Sequence, residues 1–296
     1  MVDNRPFKRL FQTLNYLISS DLKTLDLRSI TNSLRKLYFS ISLPNYSLKN
    51  LLKIMNDLST IKDLPKSILV LCPHPDDFDI AAVTLRHFKE NSAEITAYIA
   101  PTWSGILDSF YDQKVSNEQK IQTRVEEQRQ SLNFFGLESS KIHFFPNTMD
   151  LDQNGEMTDS QANYELIENA ILSSKPDAIF IPHYNDPNPA HSAMYKTVKE
   201  VVIKQELQLD LYLQMDPKTK GIEANAYTPI SVEAEKWKRQ LLNHHKTQSH
   251  RNFETRGIDF AERILSTNKA AAEKLKLEQQ YAEVFEIMPS SSLLAQ

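Results

Sequence analysis

Five short apolar runs set the architecture of this chain. SILVLCP (67–73), EITAYIAP (94–101), KIHFFP (141–146), DAIFIPH (177–183) and LDLYLQM (209–215) are each too short for a helix and rich in β-branched and aromatic residues. The stretches between them have helical spacing. Ala81, Leu85 and Phe88 mark one helix, and Ile121, Val125, Leu132 and Phe135 mark another; 160–174 and 191–205 read the same way. Strand–helix alternation of this kind predicts an α/β fold, a Rossmann-like, mostly parallel sheet with helices on both faces. In such sheets ligands bind outside the carboxyl ends of the strands. Two of those ends carry unusual chemistry, PHPDD after the first run and PHYNDPNPAH from the fourth.

Outside the alternating region the chain reads as helical. Phe7, Leu10, Phe11, Leu14, Leu17 and Ile18 follow helical spacing, as do Leu51, Met55 and Leu58, so 1–62 is expected to be a helical N-terminal extension to a domain at 63–296. Helices are also expected over 231–245 and 258–285, the latter burying Leu277, Tyr281 and Val284 on one face. Thr102 to Lys114 and Asn147 to Asp159 read as loops.

Composition narrows the function. With 296 residues and a net charge of −4, neither nucleic acid nor an anionic membrane is an expected partner. No apolar run approaches the length of a membrane span, and MVDNRPFKRLFQTLNYLISS lacks a signal-peptide core. The single cysteine, Cys72, allows no internal disulfide and reads as a small buried apolar residue, so a reducing, cytoplasmic setting is expected. Glycines number 5, and neither GxGxxG nor GxxxxGK[ST] occurs, so the usual phosphate-cradling loops are missing. The sequence leaves a homo-oligomer open.

The strand ends suggest a metal. In PHPDDFD, His74, Asp76, Asp77 and Asp79 crowd together where like charges repel unless a cation lies among them. His74 and Asp77, three apart in a turn from strand to helix, suit zinc, and His191 beyond a neighbouring strand end is the best third ligand, leaving a position for water. Asp76 lies between two ligands and is free to act as a general base.

PHPDD after a strand and the later Asp-x-Asn-Pro-x-His element resemble the LmbE-like (PIG-L) family of zinc-dependent N-deacetylases. The resemblance covers roughly 66–290 and takes in TRVEEQRQSLNFFGL at 123–137, HHKTQ at 244–248 and YAEVFE at 281–286. It implies Zn2+ held by His74, Asp77 and His191, Asp76 as general base, and a small-molecule N-acetyl sugar or glycoconjugate as substrate. Zinc would activate a water and polarise the amide, and Asp76 would move the proton, giving acetate and a free amine. Where the family has His-Pro-Asp-His, this chain has Asn188-Pro189-Ala190-His191. Asn188 then stands where a histidine would lie beside the scissile carbonyl, able to donate but not to titrate. A histidine from elsewhere would carry any acid limb, His245 first and His183 second.

Other residues admit two readings. Asp79 is a helix cap or a partner to a ligand. Arg124 pairs with Glu126 or Glu127, or touches substrate. His183 faces the site or makes a structural hydrogen bond. Trp103 packs, or stacks on a sugar. His244, His245 and His250 form a solvated helix end or a substrate wall. Two competing functions stand beside the deacetylase: a catalytically inactive binding module, and a magnesium phosphatase using Asp77-Phe78-Asp79.

Overall fold

The computed structural model describes residues 55–294. The expected helices of 1–54 lie outside the described residues.

Eight strands form one sheet, ordered Asn56–Asp57 (β1), Ala226–Ile230 (β7), Tyr281–Pro289 (β8), Asp210–Gln214 (β6), Ala178–Pro182 (β5), Ser67–Cys72 (β2), Glu94–Ile99 (β3) and Ile142–Phe144 (β4). The five apolar runs supply β2 (Ser67–Cys72), β3 (Glu94–Ile99), β4 (Ile142–Phe144), β5 (Ala178–Pro182) and β6 (Asp210–Gln214), all mutually parallel where they pair. Because both faces of β2 are covered, its residues divide between two cores. Ile68, Val70 and Cys72 enter one, with α2 (Ala82–Glu90) and α3 (Asn117–Phe135); Leu69 and Leu71 enter the other, with α4 (Gln161–Ser174) and α5 (Pro189–Lys204). This two-sided burial is why the parallel strands read as continuous apolar runs.

Three elements depart from the sequence reading. Within 55–62, Asn56–Asp57 is a short strand, β1, parallel to β7 (Ala226–Ile230), and Leu58 is fully buried. The sheet therefore starts before residue 63, and this part of the expected helix is not helical. Strand β7, AYTPI, was not foreseen. The helix expected over 258–285 ends early: α8 spans Phe260–Leu275, and Tyr281–Pro289 is strand β8, antiparallel to both β6 and β7. Tyr281 and Val284 thus belong to a strand, where their buried neighbours Ala282, Glu283 and Phe285 point to both faces.

Three further helices complete the described fold, α6 (Val232–Leu242), α7 (Lys246–Arg256) and the short α9 (Ser290–Leu294). Strand β8 carries Glu283, whose carboxylate accepts from the Val83 and Thr84 backbone N–H groups (2.9 and 2.8 Å) and from Lys238 Nζ (2.7 Å). Lys238 is fully buried and also donates to the carbonyl of Ile80 (2.7 Å), in the short helix α1 (Asp77–Ile80). The last strand thereby clamps the α1–α2 segment against the sheet. Among the described residues no helix is long and apolar enough to cross a membrane.

Candidate functional site

From β2 the chain runs to β3 and β4 on one side, then returns to β5 and β6 on the other. The switch in strand order therefore falls between β2 and β5, and the crevice beyond their carboxyl ends is where such folds bind ligands. Pro73–Asp77 and Asp186–His191 leave the sheet there.

His74, Asp77 and His191 are buried, and one ligand atom from each lies within 4.8 Å of the others, the one such group among the described residues. His74 Nδ1 is 3.1 Å from Asp77 Oδ2 and 3.1 Å from His191 Nε2, and His191 Nε2 is 3.3 Å from Asp77 Oδ1. Zinc bonds of about 2.0–2.1 Å at tetrahedral angles put neighbouring donors about 3.3 Å apart, so the donor set fits that ion. The far sides of the imidazoles support the same reading. His74 Nε2 is 2.6 Å from Glu156 Oε2, which can only accept, so that nitrogen carries a proton and Nδ1 is the atom that can offer a lone pair to a metal once its own proton is displaced. His191 Nδ1 faces Asp186 Oδ1 at 3.3 Å.

Burial opposes charge on His74, yet Asp77 and Glu156 hold its imidazole up to about 9. His191 is held well above its ordinary value against the same opposition, chiefly by Asp77. Asp77 lies far below the usual carboxylate range despite its burial, because both imidazoles favour its ionised form. Asp216, at the other side of His191, is pushed up to about 6 by burial, with His191 restraining it and Asp186 adding repulsion.

Asp76 lies next to the triad in an unusual conformation, φ 155° and ψ −18°. A non-glycine residue there costs about 1–3 kcal/mol and persists only when its surroundings fix it. They do so here. Asp79 N donates to the Asp76 carbonyl (3.0 Å), and Arg124 donates to the Pro75 carbonyl (2.9 Å) and to Asp76 Oδ1 (2.7 Å). Burial raises the Asp76 carboxyl, and Arg124 limits the rise. Arg124 therefore pairs with Asp76, not with Glu126 or Glu127. Glu127 instead accepts from Thr247 N and Oγ1 (2.8 and 2.6 Å).

Asn188 is the N-cap of α5, its Oδ1 accepting from Ala190 N at 2.8 Å ahead of Pro189 at the first helical position. That bond fixes the amide orientation and leaves Nδ2 as the free donor of a side chain that lines the crevice.

Five residues singled out from the sequence, His245, His183, Trp103, His250 and His244, do not line the crevice. His245 is fully buried, with Nε2 2.7 Å from Asp79 Oδ2, an oxygen that also accepts from Ser131 Oγ. This makes Asp79 a buried partner of His245 rather than a ligand or a helix cap. His183 is fully buried: its Nδ1 accepts from Asn185 N (3.0 Å), so Nε2–H donates to Glu286 (3.0 Å). Trp103 packs on Gly155, whose φ of +77° and lack of a side chain admit the ring. His250 bonds Ser109 near the chain surface, and His244 packs against Phe134.

The crevice also holds residues that the sequence did not single out: Glu156, Asp216, Lys218, Arg251 and Arg263. Only Glu156 had a signal, its place in the loop expected at Asn147 to Asp159. The others come from segments far apart in the chain, with no local spacing to mark them.

Residues 69–202 match the family model described as PIG-L: GlcNAc-PI de-N-acetylase. Among curated proteins no sequence match is found. Among solved structures, N,N'-diacetylchitobiose deacetylase from Pyrococcus horikoshii superposes with a TM-score of 0.60 at 17% identity, covering 85% of this chain and 96% of that one. The A40926 pseudoaglycone deacetylase Dbv21 gives 0.58 at 15%, covering 75% and 97%. GalB, the 4-carboxy-2-hydroxymuconate hydratase of Pseudomonas putida KT2440, gives 0.57 at 15%, covering 75% and 96%. At these identities the likeness concerns the fold, and a hydratase among the relatives shows that the fold leaves the reaction open. The matched segment spans both strand-end motifs and the whole switch point, so residues 69–202 carry the PIG-L (LmbE-like) pattern on a sheet with the fold of these neighbours.

Proposed function

We propose that this protein is a zinc-dependent hydrolase that removes the acetyl group from an N-acetylated sugar or related amide, releasing acetate and a free amine. The observation that carries the reading is the His74–Asp77–His191 donor set with its 3.1–3.3 Å edges, next to a strained Asp76 that is not itself a donor. His74, Asp77 and His191 would hold the ion, which when bound acidifies a water and polarises a carbonyl.

The remaining chemistry belongs to the chain. Oδ1 of Asp76 is tied to Arg124, so Oδ2 faces the attacking water and takes its proton as oxygen adds to the acyl carbon. The partly buried carboxyl, raised by desolvation and restrained by Arg124, is poised for that exchange. Asn188 Nδ2 donates to the amide oxygen as negative charge develops on it. As the C–N bond breaks, Asp76 returns the proton to the leaving nitrogen, so one water is consumed and acetate and amine are released. His245, buried on Asp79, is not needed for either transfer.

The test is metal analysis of the purified full chain combined with an acetate-release screen over N-acetyl sugars. About one zinc per chain and acetate release that depends on it are expected. Stoichiometric zinc with no acetate from any N-acetyl amide would refute the reading, and magnesium-dependent phosphate release would replace it with the phosphatase.

A further inference from the structure

One wall of the crevice differs from the rest. The triad comes from the ends of β2 and β5, whereas Arg251 of α7 and Arg263 of α8 line the crevice from the helical side, with Lys218 nearby. Both arginines are half-buried. Two other guanidinium groups are paired, Arg124 with Asp76 and Arg239 with Glu235 and Glu262. Among the described residues, no ion pair includes Arg251 or Arg263. The one side-chain bond of Arg263 is to the neutral Asn252 Oδ1, at 3.4 Å.

These charges are held in place rather than dangling. Arg251 lies against Gly105, where a Cβ would stand 2.7 Å from its Nη1; Gly105, at φ +78°, leaves the room. Burial bears against the Arg251 charge, and so do Arg124, Arg256 and Arg263, with Asp76 offsetting part of it; burial bears against Arg263 too, where Asp216, Asp76 and Asp186 work against burial and Arg256, and the balance for both still lies against the charge. Partly desolvated like charges with no carboxylate at ion-pair distance call for an anion, and the planar fork of arginine matches an oxyanion with two parallel hydrogen bonds. A neutral sugar hydroxyl offers no charge to offset theirs.

We propose that Arg251 and Arg263 form a subsite that grips an oxyanion, a carboxylate or phosphate group carried by the substrate away from its acetamide. The assignment of that anion to a substrate rests on the deacetylase reading; the anion site itself does not.

The test has two arms on the full chain. In the first, inorganic phosphate and succinate are titrated separately by calorimetry into wild type, Arg251→Ala and Arg263→Ala. At least one of the two anions is expected to bind to wild type, and each variant to lose roughly tenfold or more in affinity. Arg251→Lys and Arg263→Lys, which keep the charge without the fork, should fall between and stand in if an alanine variant misfolds. In the second arm, kcat/KM is compared for N-acetylglucosamine, N-acetylglucosamine 1-phosphate and N-acetylmuramic acid. A charged sugar is expected to be preferred by roughly tenfold or more, and that ratio to collapse in the variants through KM. Preference for the phosphate or for the carboxylate sugar names the source. Anion affinity equal in wild type and variants, or no anion binding at all, overturns the proposal, as does equal turnover of charged and neutral sugars. If no amide is cleaved while anion binding still requires both arginines, the deacetylase reading falls and the subsite stands.

Discussion

Replacing Asp76 by asparagine separates chemistry from stability at a single atom. The side chain keeps its shape, and Oδ1 can still accept from Arg124 Nη2, now as a neutral acceptor across 2.7 Å. Charge-assisted hydrogen bonds are roughly twice as strong as neutral ones, so the loss is about 1–2 kcal/mol. Arg124 keeps its bonds to the carbonyls of Pro75 and Ser104. For a domain of this size that loss lowers Tm by about 2–8 °C. Activity should respond far more. An amide cannot take a proton from water, and losing a general base costs ~10²–10⁴ in rate, or about 2.7–5.5 kcal/mol of barrier.

Two companion variants test the backbone. Asp76→Ala leaves the buried Arg124 guanidinium without its carboxylate, a loss of about 3–5 kcal/mol. Asp76→Gly suffers the same loss but recovers part of the about 1–3 kcal/mol stored at φ 155°. The glycine variant should therefore melt above the alanine variant, with both inactive. Calorimetry, zinc content and acetate release read the three outcomes. An Asp76→Asn protein with full zinc and a rate within tenfold of wild type would refute the base assignment. A glycine variant melting below the alanine one would refute the strain.

Three further outcomes are expected. Zinc must displace protons from His74, held up to about 9, and from His191, so its affinity should rise by roughly tenfold or more per pH unit between about pH 6 and 8; a flat titration, or zinc retained by His191→Ala, would remove the triad as the site. Glu156→Ala removes the carboxylate that orients His74, and zinc affinity measured by chelator competition should fall ~10–100-fold; no change would make the 2.6 Å contact incidental. Asn188→Asp retains the cap acceptor for α5 but lacks the NH₂ donor, so it should hold Tm while losing ~10²–10³ in kcat, whereas Asn188→Ala should lose the rate and also about 1 kcal/mol of stability; an unchanged kcat in both would leave Asn188 as a cap alone.

The parallel half of the sheet was legible because strands buried on both faces must be apolar throughout, and β2 to β6 have no other way to be written. Strand β7 was hidden by its polar alternation and by Pro229, which a reader takes as a breaker. Strand β8 was mistaken for helix because Leu277, Tyr281 and Val284 happen to fall three or four apart, while their burial comes from a sheet. At the site, His74, Asp76 and Asp77 were visible because one turn carries them and their spacing is chemical. Glu156, Asp216, Arg251 and Arg263 were not, since only the topology of the sheet and the packing of α7 and α8 bring them to one crevice. His183, His245 and Trp103 drew attention by residue type, yet a buried imidazole or indole serves a hydrogen bond or a packing contact equally well.

Strand β8 lies between β6 and β7 in the sheet although it follows both of them in the chain. On the ribosome, β6 therefore waits with one edge bare until Tyr281–Pro289 has left the exit tunnel. During that interval Lys238 and the Val83 and Thr84 backbone N–H groups have no Glu283 to receive them. Gln214, which ends β6, pairs with Phe285 of β8 and donates to the carbonyl of Asp77 at 2.9 Å, linking that late strand to the turn bearing His74 and Asp77. Chain order thus lets the His74–Asp77 turn settle only after β8 has been made.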